Sequence, residues 1–245
     1  MFIDTSTTSF DLKFRLFSFP IRVHPYFWLI MALLGSWVLQ KYPPFYLALW
    51  VVCAFLSVLV HELGHALAAR FFGAHSSILL YGFGGVAQYS HAPRRAWQRL
   101  LIALAGPAAG FALFGLVFAS DLLFDWSKFG EVLRGLFWFL FVMNLFWNLF
   151  NLLPIYPLDG GKICRELLDL LGVQRPDPPT YVISMLVAGA LAAYGAASLL
   201  RVVPKEIDDA MPFRPSIMMT IFFVLFVVEN YQWYQASTRR ATWHD

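Results

Sequence analysis

The chain has 245 residues, of which 59% are hydrophobic, 18% aromatic and only 13% charged. Soluble domains carry about 25% charged residues, so this composition excludes an ordinary soluble domain and is typical of a polytopic membrane protein. The net charge of +3 is small and its Lys and Arg residues form no cluster, so we expect no nucleic-acid partner.

The first residues lack the basic-then-apolar layout of a cleavable signal peptide, so we expect the first apolar helix to insert directly. Two short alternating stretches, Leu12–Leu16 and Ile21–His24, predict a pair of strands before that helix. A turn at Ser18-Phe19-Pro20 is expected to join them. The two cysteines, Cys53 and Cys164, provide no disulfide framework.

Six apolar stretches follow, and each predicts a transmembrane helix. They are Tyr26–Gln40, Phe45–Phe72, Trp97–Phe124, Val132–Leu153, Tyr181–Val203 and Pro215–Tyr234. The predicted fold is therefore an all-α polytopic membrane protein with a short N-terminal strand pair and a Gly-rich, membrane-associated hairpin or loop near residues 82–87. We expect a single membrane-embedded domain over residues 1–245, with a catalytic core at about 45–172 and spans five and six at about 181–234.

Loop charges predict the orientation of these six spans. With the N-terminus inside, twelve of the eighteen Lys and Arg residues fall on the inner side and six on the outer side. An excess of basic residues marks cytoplasmic loops, so we expect both termini on the cytoplasmic side of the inner membrane. The ends of spans two and four then lie toward that side, and an active site there would open to the cytoplasm.

The second span contains an H-E-x-x-H motif, His61-Glu62-Leu63-Gly64-His65. Residues four apart in a helix project from nearly the same side, so the two imidazoles can share one metal ion. This is the zinc-peptidase arrangement of two histidine ligands and a carboxylate that handles a proton. The structural alternative is two histidines that pack against neighbouring helices.

A catalytic zinc needs three protein ligands and an open position. Span four runs into Asn151-Leu152-Leu153-Pro154-Ile155-Tyr156-Pro157-Leu158-Asp159-Gly160-Gly161, where two prolines end the helix and two glycines let the backbone bend. Asp159 is the natural third ligand, and Glu166 is the competing candidate. Alternatively, Asp159 is a loop residue that caps a helix beginning near Lys162.

Three asparagines, Asn144, Asn148 and Asn151, line one face of span four. Such a polar stripe in a membrane usually joins helices, which is the interpretation favoured for the first two. Asn151 is a candidate for holding a substrate carbonyl or the site water.

These motifs together resemble the site-2 protease family of zinc intramembrane peptidases, in its six-span branch without PDZ or CBS domains. The resemblance rests on the H-E-x-x-H motif, on Asn151-x-x-Pro154-x-x-Pro157-Leu158-Asp159-Gly160, on Gly82–Gly85 and on Gly106-Pro107, and it covers residues from about 20 to 172. It implies one Zn²⁺ per chain held by His61, His65 and Asp159, with Glu62 as catalytic acid/base. Many members have asparagine at the position of Gly110, where this chain retains only a small-xxx-small pattern for close helix packing.

The function implied is zinc-dependent cleavage of single-span membrane proteins within or near their membrane segments. Such a substrate must present an extended backbone, and Gly84 and Gly85 are candidates for a strand edge to which it adds. Two alternatives stay open: a membrane zinc peptidase acting on prenylated or other substrates, which is expected to use a glutamate as third ligand, and a non-catalytic zinc-binding protein or transporter.

Overall fold

The computed structural model describes residues 7–82, 84–89, 93–124, 126–203 and 217–241. It divides into two compact units, of which one ends at Asn151 and the other begins at Leu152. The predicted single domain is not tested by this division and stays a prediction. Most of the described residues are helical, and the remainder include one small sheet.

The sheet belongs to the first unit and has four strands: β1 (Leu12–Leu16), β2 (Phe19–Val23), β3 (Ser76–Tyr81) and β4 (Gly84–Tyr89). They lie in the order β1-β2-β3-β4, in which β2 and β3 are parallel and the two outer pairs antiparallel. The predicted strand pair is therefore confirmed, but as half of a larger sheet. Parallel pairing requires a long connection, and the helices between β2 and β3 supply it.

Both hairpins turn through residues with positive φ. The first turns at Phe17 and Ser18, one position earlier than predicted, with φ angles of 47° and 71°. Two consecutive residues of this kind make the tight turn whose twist suits a hairpin. The second turns at Gly82, with φ of 54°, so the predicted Gly-rich hairpin is present, while Phe83 lies outside the described residues.

Four helices complete the first unit: α1 (Pro25–Leu34), α2 (Phe45–Phe71), α3 (Ala96–Leu123) and α4 (Glu131–Asn151). The second, third and fourth are long and apolar enough to cross a membrane. Their bounds agree within two residues with the predicted spans. Helix α2 is the central element, since it contacts α1, α3, α4, β3 and β4.

The first predicted span is not confirmed as one helix. Helix α1 has ten residues, and a 3₁₀ helix at Ser36–Gln40 follows it after Gly35. A Cβ atom on Gly35 would lie 2.9 Å from Cγ of Trp50, whose indole donates to the carbonyl of Met31. The close approach of the α2 side chain thus coincides with the break in the helix.

One apolar core holds this unit together. Alternate residues of β2 point into it, namely Phe19, Ile21 and Val23, as period-two alternation requires. They meet side chains of β3, α1, α2 and α4 in the same cluster. The sheet therefore covers one side of α2.

The second unit contains α5 (Asp159–Leu170), α6 (Asp177–Leu199) and α7 (Ile217–Ala241). Helices α6 and α7 are long and apolar enough to cross a membrane, and they pack against each other. Helix α6 begins four residues before the predicted Tyr181, because prolines are favourable in the first turn of a helix and Pro178 lies there. Of the last predicted span, Pro215 and Ser216 lie outside the described residues. Five candidate spans are thus present in the described ranges.

Candidate metal centre

The H-E-x-x-H motif lies in the most enclosed part of α2. His61, Glu62 and His65 are 2%, 5% and 4% exposed. Their helical spacing brings the two imidazole rings to a centroid distance of 4.8 Å. Burial of three ionisable side chains is costly unless they have partners, so the partners of each ring atom are informative.

The Nδ1 atom of each histidine contacts an oxygen of another helix. His65 Nδ1 lies 2.7 Å from the carbonyl oxygen of Ile102, and His61 Nδ1 lies 2.9 Å from Oδ1 of Asn148. A carbonyl only accepts, so His65 carries its proton on Nδ1. The amide of Asn148 is oriented by its Nδ2, which donates to the carbonyl of Asn144. Its Oδ1 therefore faces His61, whose Nδ1 donates as well.

With Nδ1 of each ring as the donor, Nε2 is the ring atom left to act as a metal ligand, and the two Nε2 atoms lie 3.2 Å apart. Two nitrogens bound to one tetrahedral zinc at 2.0–2.1 Å are about 3.3 Å apart. The histidine pair therefore fits a divalent cation, and the hydrogen bonds on Nδ1 are of the kind that orients metal-binding histidines.

Glycines on α3 make room for these side chains. A Cβ atom on Gly106 would lie 2.7 Å from Cδ2 of His65 and would overlap Nε2. A Cβ atom on Gly110 would meet the amide of Asn148 in the same way. The small-xxx-small pattern is thus confirmed as a site of close packing. The side chains that pack against its two glycines are those of His65 and Asn148.

The carboxylate of Glu62 faces the sheet. A Cβ atom on Gly85, in β4, would lie 2.6 Å from Cδ and 2.7 Å from Oε1 of Glu62. Strand β4 has one neighbour, β3, and is an edge strand of the described sheet. The structure therefore brings the acid of the motif and the Gly-rich strand together.

The neighbouring Gly84 lies beside Trp147 of α4. Its Cβ position is 3.3 Å from Cζ2, the ring carbon on the same edge of the indole as Nε1. That Nε1 is buried and has no hydrogen-bond partner among the described residues. A buried donor without a partner is unfavourable by about 1–3 kcal/mol, so this indole edge is suited to an acceptor from a bound molecule.

The three asparagines of the stripe make different contacts. Asn144 donates to the hydroxyl of Ser57 on α2, so the prediction that it joins helices is confirmed. Asn148 joins the same two helices through His61, so the prediction is confirmed for it as well, although the histidine was not predicted as its partner. Asn151 donates to the carbonyl of Trp147 in its own helix and is half-buried, so its predicted substrate contact stays a prediction.

Asp159 belongs to the second unit and is 3% exposed. It is the first residue of α5, so the helix expected to begin near Lys162 begins three residues earlier and includes Asp159. Its Oδ1 accepts from Nζ of Lys162 at 2.9 Å. Gly161, two residues later, lets the first turn of α5 lie against the preceding loop, because a Cβ atom at this position would lie 2.6 Å from Cα of Tyr156.

Glu166, the competing ligand, is engaged within the same unit. Its Oε1 lies 2.7 Å from Arg165, which also donates to Asp177. Burial lowers the pKa of the Arg165 guanidinium, but its hydrogen bonds to these two acids outweigh that effect and raise the pKa overall. Glu166 therefore has a charged partner that explains its burial without a metal.

Comparison with known proteins gives a family match over more than half of the chain. The profile of peptidase family M50 matches residues 49–136 and 125–195. A zinc metalloprotease of Methanocaldococcus jannaschii is 32% identical over 156 residues, which are 63% of this chain and 44% of that protein. This chain thus spans less than half of that relative's length.

Two further proteins are similar over most of the chain. Stage IV sporulation protein FB of Bacillus subtilis is 30% identical over 215 residues, or 86% of this chain and 66% of that one. The solved structure of the site-2 protease from Methanocaldococcus jannaschii matches with a TM-score of 0.59 and 24% identity, covering 92% of this chain and 95% of that one. At this identity the structural match establishes the shared fold. The chain belongs to peptidase family M50, and its five apolar helices make it an integral, multi-pass membrane protein.

Proposed function

We propose that this protein is a zinc-dependent intramembrane endopeptidase of the site-2 protease type. The observation that carries the proposal is the histidine pair of α2. Nδ1 of each ring is directed to an oxygen of another helix, and the two Nε2 atoms lie 3.2 Å apart. This separation matches that of two nitrogen ligands on one tetrahedral zinc ion, and membership of a peptidase family makes zinc the expected ion.

Asp159 is the proposed third ligand. In support, His61, His65 and Asp159 each offer an atom that can bind a metal ion. All three are buried, and together they make the two-nitrogen, one-oxygen donor set common in catalytic zinc sites. Both acids have a basic partner, Lys162 for Asp159 and Arg165 for Glu166, so Asp159 is preferred because it lies in the motif that resembles the site-2 proteases.

Bound zinc would supply a water of lowered pKa and a Lewis acid for the peptide carbonyl. The chain's own proton carrier is Glu62, next to His61 in the helix. It accepts the proton of the attacking water and then delivers it to the departing amine. Gly85 keeps the space beside this carboxylate clear of a side chain.

The same glycine-rich strand is the proposed place for the substrate. An α-helical segment hides its carbonyls in its own hydrogen bonds, so it must unwind before hydrolysis. An unwound segment can add to the edge of β4, where main-chain hydrogen bonds hold it extended. Because Gly84 and Gly85 carry no side chains, the added strand can approach Glu62. The indole N–H of Trp147 is the proposed donor to one of its carbonyls.

The proposed substrates are single-span membrane proteins cut within or near their membrane segment. We place the protein in the cytoplasmic membrane with both termini and the site opening on the cytoplasmic side. This orientation needs six crossings, the first formed by α1 and the 3₁₀ helix after it. Placed end to end, ten residues at 1.5 Å and five at 2.0 Å extend at most about 25 Å, against the roughly 30 Å of a hydrocarbon core.

The test replaces Glu62 with Gln in the full chain and measures both bound zinc and cleavage. We expect one zinc per chain in wild type and in Glu62→Gln, with cleavage lowered at least about 100-fold in the variant. Glu131→Gln, at the exposed start of α4, is the matched control and should cleave normally. Membrane proteomes of cells with the two variants would then differ in fragments cut within spanning segments. Unchanged cleavage in Glu62→Gln would overturn the proposal.

A further inference from the structure

Both backbone polar groups of Tyr156 are held by side chains from the last two helices. Its N–H donates to Oγ of Ser184 in α6 at 2.9 Å. Its carbonyl oxygen accepts from Nδ2 of Asn230 in α7 at 2.7 Å. Ser184 and Asn230 are each 0% exposed, so the side-chain end of both hydrogen bonds is shielded from solvent.

The orientation of each side chain is fixed by a second contact within its own helix. Ser184 donates its hydroxyl proton to the carbonyl of Thr180 and so offers a lone pair to Tyr156. Asn230 directs its Nδ2 to the carbonyls of both Tyr156 and Phe226. Both partners are carbonyl oxygens, which can only accept, so the Asn230 atom that faces them is the donor Nδ2.

The ring of Tyr156 is held by the same two helices. It packs edge-on against Tyr181 of α6 at 5.6 Å and against Trp233 of α7 at 4.9 Å. Edge-to-face contacts of this kind are favourable beyond the area that they bury. Helices α6 and α7 therefore hold the backbone and the side chain of one loop residue.

That residue stands three positions before Asp159. Between them the chain turns tightly, with the N–H of Leu158 donating to the carbonyl of Ile155 at 2.8 Å. The first turn of α5 then passes so near Tyr156 that only glycine fits at position 161. A displacement of Tyr156 would therefore move the start of α5 and with it the carboxylate of Asp159.

We propose that Ser184 and Asn230 are positioning residues that fix the Asp159 carboxylate for metal binding through Tyr156. This rests on the proposed function, in which Asp159 is a zinc ligand. It gives helices α6 and α7 a specific part in the site, although they carry no ligand themselves. Partners that orient a metal ligand typically change metal affinity by about 10–100-fold when removed.

The experiment measures zinc affinity of the purified full-length protein by competition with a chelator. Ser184→Ala and Asn230→Ala should each weaken zinc binding by about 10–100-fold. Ser184→Thr keeps the hydroxyl and should restore affinity to within a few-fold of wild type. Ser237→Ala and Gln235→Ala are the matched controls on α7, since their hydrogen bonds stay within that helix, and they should bind zinc as wild type does.

A double-mutant cycle separates positioning from general damage. Zinc is titrated directly, without competing chelator, so that the weaker binding by His61 and His65 in Asp159→Ala is still measured. If the two residues act through Asp159, then adding Ser184→Ala or Asn230→Ala to Asp159→Ala should cause no further loss. A loss that persists at full size in the Asp159→Ala background, or wild-type affinity in both single variants, would overturn the inference. Ser184→Ala removes a single oxygen atom, so its zinc affinity decides the inference if Asn230→Ala does not fold. Wild-type affinity in Asp159→Ala itself would instead overturn the proposed ligand set.

Discussion

Gly106 and His65 are in such close approach that the glycine cannot be replaced without moving the imidazole. The Cβ position of Gly106 overlaps Nε2 and lies 2.7 Å from Cδ2 of that ring. Hydrogen bonding of Nδ1 to the carbonyl of Ile102 holds the ring from its other side. The histidine is thus confined between two parts of α3, a rigid arrangement suited to a metal ligand.

Gly106→Ala should therefore displace His65 and lower zinc affinity by at least about tenfold. Gly115, nine residues later on the same helix, has no atom within 4 Å of its Cβ position. Gly115→Ala is the control, and it should leave zinc affinity unchanged while favouring the helix by up to about 1 kcal/mol. Equal zinc affinity in the two variants, measured by chelator competition, would show that Gly106 is not needed to make room for His65.

Asn148→Ala should weaken zinc binding by about 10–100-fold, because His61 would lose the acceptor that directs its Nδ1 proton. The control lies one turn away on α4. Asn144→Ala breaks the hydrogen bond to Ser57 and should lower the free energy of unfolding without the same effect on zinc. If Asn144→Ala lost zinc as strongly as Asn148→Ala, the orienting role of Asn148 would be ruled out.

Gly85→Ala should lower kcat/KM by about 100-fold with zinc retained, because its Cβ atom would push the Glu62 carboxylate from its place. Gly84→Ala introduces the same methyl group one residue earlier, at 3.3 Å from Trp147. We expect a smaller loss there, within about tenfold. A reversed order of the two variants in a cleavage assay would show that Gly85 is not the residue that makes room for the acid.

Trp147→Phe keeps an aromatic ring and removes the indole N–H. With one hydrogen bond to the substrate lost, kcat/KM should fall by about tenfold while zinc content stays at one per chain. Trp138→Phe, at an exposed position of the same helix, is the matched control. Normal cleavage by Trp147→Phe would remove this residue from the proposed substrate contacts.

Much of this architecture could be predicted from local sequence patterns. Apolar runs identified α2, α3 and α4 to within two residues, and alternation identified the first strand pair. Spacing alone placed His61 and His65 on one side of a helix. The break in the first span was not predicted, because it coincides with a contact between Gly35 and the indole of Trp50. Only the tertiary fold brings these two residues together.

The supporting residues were harder to predict than the ligands. Asn148 is 87 positions from His61, and no spacing rule connects two such residues on different helices. The Gly106–Gly110 pattern was visible and indicated close packing, but the sequence did not say which groups it admits. Ser184 and Asn230 carry no motif at all, and their contacts with Tyr156 emerge only from the packing of α6 and α7.

The proposed ligand set is tested by comparing the zinc content of Asp159→Ala with that of Glu166→Gln. Each removes one buried carboxylate from the same short helix, and only the first belongs to the proposed ligand set. After dialysis against a moderate chelator, we expect one zinc per chain in wild type and Glu166→Gln and little or none in Asp159→Ala. Full zinc in Asp159→Ala together with its loss in Glu166→Gln would show that Glu166, and not Asp159, is the third ligand.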